Sequence, residues 1–154
     1  MKRILVFMFL GPLLISCQDP NESGVPDGKD FKTSTVNWND PNLVANVYFY
    51  ADIDLNEFFF YFDHNDDSKA DFLIKCKRDE FRVLKESTPG SGLYDVLKYT
   101  GTPALSAGHY RLEFPLAALE LEFDPNVLTY YWFYAMDGGD RMPDSGRKTL
   151  DMPG

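Results

Sequence analysis

The sequence predicts an all-β protein, an antiparallel β-sandwich of about seven to eight strands with at most a short helix near 116–121. Three observations carry this. Phe72, Ile74 and Cys76 alternate with Leu73, Lys75 and Lys77, and Tyr110, Leu112 and Phe114 alternate with Arg111 and Glu113, the period of a strand with one dry face. Turn formers such as Asp63-His64-Asn65-Asp66-Asp67-Ser68, Thr88-Pro89-Gly90-Ser91-Gly92 and Asp124-Pro125-Asn126 stand between the apolar runs. No helical period alternates with the strands, so a parallel sheet with crossover helices is not indicated.

The chain of 154 residues is long enough for one domain, and its aromatic content of 16% is far above that of a disordered chain. Residues 1–16 read as a signal peptide, with Lys2 and Arg3 ahead of an apolar run too short and wrongly flanked for a spanning helix. The run ends in Leu14-Ile15-Ser16-Cys17, which resembles the lipobox of bacterial lipoproteins. That resemblance implies cleavage after Ser16, acylation of Cys17 and attachment to a membrane on the extracytoplasmic face of the cell envelope. Several acyl chains together make such an anchor stable, since each buried CH₂ contributes about 0.8 kcal/mol. Cys76 is then left without a partner in the chain and reads as a buried, inert thiol. The net charge of −9 becomes −11 once the two positive charges of Lys2 and Arg3 are removed, a balance that repels nucleic acid.

Residues 17–33, rich in Pro, Gly, Asp and Ser, read as a flexible tether, and 34–154 as the sandwich domain. Within it, strands are expected at 35–38, 43–51, 57–62, 70–77, 80–85, 109–114 and 127–136. Residues 93–99 read as a strand or a short helix, and 101–108 as irregular. Pro115 stops the strand before it, and the good helix formers of 116–121 suit a turn or two of helix. The segment 137–146 reads as loop, and the tail after it carries no assignment.

The aromatic strand with its acidic turn, Ala70-Asp71-Phe72-Leu73-Ile74, His109 to Leu116, and Asp140-Arg141-Met142-Pro143-Asp144-Ser145-Gly146 together resemble β-sandwich modules of the family-nine carbohydrate-binding and DOMON-like type. The likeness covers roughly 47–146 and implies a two-sheet fold and a carbohydrate ligand. The Trp-containing opening segment common in the sugar-binding members has no counterpart here, since Trp38 stands in a different context.

Three groups of residues are candidates for chemistry. Asp63, Asn65, Asp67 and Asp71 space hard oxygen ligands around one turn, as a structural Ca²⁺ requires. The helix-loop-helix calcium signature is absent, and Asx capping of a hairpin is the other reading. Asp137, Asp140 and Asp144 form a second acidic cluster, which would share a rim with the first if their strands are neighbours. Tyr130, Trp132 and Tyr134 form one face of an aromatic strand, a platform for a sugar ring or another apolar partner if it is exposed. His64 reads as a solvated side chain of the acidic turn. The chain has no G-x-S-x-G, H-E-x-x-H or phosphate-cradling loop, and no catalytic residue is assigned.

These readings favour a non-enzymatic, lipid-anchored binding module of the bacterial envelope, with glycans as the leading ligand. Two alternatives are carried: an assembly lipoprotein docking envelope proteins through an aromatic face, and a lipocalin-like barrel around an apolar ligand. An open two-sheet stack separates the first two from the third.

Overall fold

The structure, a computed structural model, describes residues 25–39, 41–65, 67–120, 129–135, 140–143 and 146–150. Cys17, Asp137 and Asp144 lie outside these residues. Two antiparallel sheets pack face to face and do not close into a barrel, which removes the lipocalin-like reading.

The smaller sheet has the order β1-β2-β8-β7, built from β1 (Phe31–Asn39), β2 (Asn42–Phe49), β7 (Ala104–Ser106) and β8 (His109–Pro115). The larger sheet runs β10-β9-β3-β4-β5-β6, with β11 also paired to β9. Its strands are β3 (Glu57–Asp63), β4 (Phe72–Lys77), β5 (Phe81–Glu86), β6 (Tyr94–Gly101), β9 (Thr129–Ala135), β10 (Arg141–Met142) and β11 (Lys148–Leu150).

Eight of these strands are six residues or longer, in keeping with the expected number, and three shorter ones complete the sheets. The first strand starts at Phe31, inside the stretch that reads as tether, because Phe31 is fully buried against Phe49, Phe58 and Phe133. The 93–99 segment is a strand, β6, and the segment read as irregular contains β7. The expected helix is a single 3₁₀ turn, Leu116–Leu119, ended by Glu120 in the left-handed region. Short β10 falls inside the segment read as loop, and β11 lies in the unassigned tail.

The core follows from alternation, with the outward Phe59 and Val44 also buried. Phe58, Phe60 and Phe62 of β3 point inward, as do Phe72, Ile74 and Cys76 of β4 and Tyr131, Phe133 and Ala135 of β9. They meet Leu43, Ala45, Val47 and Phe49 of β2 and Tyr110, Leu112 and Phe114 of β8. Phe60 stacks on Phe133 at 4.7 Å between centroids, and Phe58 meets Tyr110 edge to face at 4.8 Å. Such pairs add about 0.5–1.5 kcal/mol each beyond the area they bury. Cys76 is fully buried, and burial pushes its thiol well above the ordinary range, so it is not a nucleophile.

Candidate functional site

The two outer faces of the sandwich differ in chemistry. That of the small sheet is polar. Asn46 is within 3.3 Å of Thr35 Oγ1 and 3.1 Å of His109 Nε2, Tyr48 stacks on His109 at 4.4 Å, and Arg111 pairs with Glu113 at 2.6 Å. Burial, and after it the nearby Arg111, lowers the His109 pKa, which favours the neutral ring.

The outer face of the large sheet is aromatic and aliphatic. Register places Trp132 of β9 beside Tyr61 of β3, Tyr61 beside Leu73 of β4, Leu73 beside Leu84 of β5, and Leu84 beside Leu97 of β6. Arg141 of β10 stands at the other end, its guanidinium 6.0 Å from the Trp132 ring centroid. The row therefore crosses six strands and is about 24 Å long, given a strand spacing of about 4.8 Å. A second row beside it holds Tyr134, Phe59 and Lys75, and Lys75 lies 5.8 Å over Phe59 and pairs with Glu57 at 2.9 Å.

The ring orientations decide what this face can do. Tyr61 and Trp132 stack on each other, 5.1 Å apart and 7° from parallel. The stack covers one face of each ring. Tyr61 covers one side of Trp132, and Arg141 approaches from the β10 side. Tyr130 is also capped, by Arg147 at 4.2 Å, which in turn pairs with the buried Asp63 carboxylate. Of the three ligand-binding candidates, Trp132 and Tyr134 thus stand in the aromatic patch, while Tyr130 is held beneath an arginine. Burial, and then the neighbouring Tyr134, raises the Tyr61 hydroxyl above its usual value.

Sequence reasoning missed Tyr61, Leu73, Leu84 and Arg141 as members of this patch. Only register brings Tyr61, Leu73 and Leu84 into one row, and Arg141 joins it through its approach to the Trp132 ring from a strand too short to show a period.

The acidic turn brings Asp63, Asn65, Asp67 and Asp71 into one loop at the end of β3. Three successive Asx contacts run through it: Asn65 N donates to Asp63 Oδ1 at 3.3 Å, Asp67 N to Asn65 Oδ1 at 3.0 Å, and Lys69 N to Asp67 Oδ1 at 2.9 Å. Asp71 accepts from His64 N at 2.8 Å and from Asn65 Nδ2 at 3.2 Å. The loop is closed by its own amides, the alternate spacing serving hairpin geometry. Among the described residues, no three His, Cys, Asp or Glu side chains cluster as metal ligands. Burial raises the Asp71 pKa most, with Asp63 and Asp67 adding to it.

His64 is buried rather than solvated, its Nδ1 2.9 Å from Thr129 Oγ1 at the start of β9. Of the second acidic cluster, only Asp140 is among the described residues, and it does not share this rim. Asp63 lies opposite Tyr130 at one end of β9, while Asp140 O accepts from Ala135 N at the other. Asp140 is buried and accepts from Phe31 N at 2.6 Å, tying β1 to the large sheet.

No protein-family model, curated protein or solved structure matches the chain.

Proposed function

We propose that this protein is a lipid-anchored interaction module of the bacterial envelope. It docks a protein partner on the outer face of its seven-stranded sheet. The observation that carries this reading is the row Arg141–Trp132–Tyr61–Leu73–Leu84–Leu97, set against a polar opposite face. Trp, Tyr and Arg are the residues that dominate the energetics of protein interfaces, and a flanking aliphatic surface excludes water around them. The glycan reading draws on the family-nine likeness and on the same residues. It is the weaker of the two because stacking on a sugar needs an open ring face, and the faces of Tyr61 and Trp132 are turned on each other.

The anchor supports docking within the envelope. Acylation at Cys17 confines the domain to the membrane surface, where a modest interface suffices because the partner is held nearby. Cys17→Ser is expected to leave the protein unlabelled by a fatty-acid probe and in the soluble fraction; persistent labelling contradicts the anchor. Trp132→Ala is expected to weaken association with an envelope protein at least tenfold without changing the fold. Saturable binding to purified polysaccharide that Trp132→Ala abolishes would favour the glycan reading instead.

A further inference from the structure

A hollow of about 290 Å³ opens at one end of the sandwich, remote in register from the aromatic row. Its floor is Phe58, Cys76 and Tyr110, and its walls are Ile53, Leu55 and Leu105. The polar atoms of the floor are satisfied within the protein: Tyr110 Oη donates to Lys77 O at 2.8 Å, and the Cys76 thiol lies 3.7 Å from Ile74 O. A floor of this kind has little to offer water and suits an apolar guest. Leu105, 42% exposed, stands at the mouth, where a guest would cover it.

The walls are fixed by the backbone. Gly108, at φ +62°, closes the turn between β7 and β8, and its carbonyl accepts from Phe49 N at 2.8 Å. A Cβ there would come within 2.9 Å of Ala51 O. Further along the same segment, Gly28 O accepts from Asp54 N at 2.8 Å, and a Cβ on Gly28 would meet Asp52 O at 2.4 Å. Both close approaches, which only glycine permits, pin the 49–54 segment that carries Asp52 and Ile53 of the hollow. A pocket fixed in this way needs no ordering on binding, and its volume is at the lower end of ligand sites.

From this geometry we infer that the hollow is a binding site for a small molecule with one short apolar chain or ring and an uncharged polar head. The apolar part lies on Phe58 and Tyr110. The head lies at the mouth, where the Asp52 carboxylate shares the rim with the cations Lys77 and Arg78. Such a mixed rim favours a hydroxyl, ester or amide over an ion. This site is independent of the docking face.

The test is a titration of the full-length protein with straight-chain alcohols from butanol to octanol, following the amide signals of Cys76 and Ala107. Affinity is expected to rise about fourfold per added CH₂ until the hollow is filled. The carboxylate and the amine of equal length are expected to bind several-fold more weakly than the alcohol. Ala107→Trp at the mouth, and separately the exposed Leu105→Glu, should each remove binding, while Leu97→Lys on the docking face should not. Absent binding, binding without chain-length dependence, or binding unchanged by both mouth variants overturns the site. Equal or tighter binding of either ion overturns the assignment of the head.

Discussion

At the residue scale, a few side chains hold both the fold and the candidate face. Phe60 is fully buried on the central strand of the large sheet and stacks on Phe133. Phe60→Ala is expected to cost about 3–5 kcal/mol, read as a lower denaturant midpoint at unchanged slope. Asp71 gives a pH signature of opposite sign to the usual paired carboxylate. Its folded pKa lies above the ordinary aspartate value, chiefly through burial. Below the ordinary value both states are protonated. As pH rises toward the raised value the unfolded chain ionises first, so the fold loses stability across that window. Asp71→Asn should remove this slope, and the difference between the two melts should grow in favour of the variant as pH climbs from the ordinary aspartate value into the raised range. A constant difference across that range contradicts the assignment.

At the scale of elements, the strands most legible in the sequence are those with a sustained period of two. β4 and β8 read correctly because their inward residues are all apolar and their outward ones mostly charged. β3 and β9 were legible from aromatic density, although both of their faces are apolar. The short strands β7, β10 and β11 have two or three residues each, too few to show a period. Phe31 was hidden by its neighbours, since the Pro, Gly and Asp around it read as linker while its ring fills a gap between sheets. His64 misled for a different reason: its partner Thr129 is 65 residues away in sequence, and no local pattern announces it. The acidic turn was located correctly, and the same spacing serves an Asx-closed loop. Because its oxygens already accept from the loop's own amides, its melting midpoint is expected to be the same in EDTA and in millimolar Ca²⁺. A filled cation site would raise it by about 3–6 °C.

At the scale of the whole molecule, the asymmetry between the two sheets organises the account. The four-stranded sheet shows solvent a mesh of Asn, His, Arg and Glu that satisfy one another. The seven-stranded sheet shows an aromatic and aliphatic row that ends at the edge strand β6. There Leu97 is 56% exposed, and Leu93 just before the strand is 63% exposed, an arrangement soluble domains seldom leave uncovered. None of this asymmetry is visible without the register, because each outward residue in the sequence is a single apolar letter in a different strand. The most direct measurement places a photo-crosslinking residue at Leu84, at Leu97 or at Asn46 in the full-length protein in its native cells. One discrete protein adduct is expected, the same from Leu84 and Leu97, and none from Asn46. Adducts from Asn46 alone, or the same adducts from both faces, would contradict docking on the large sheet.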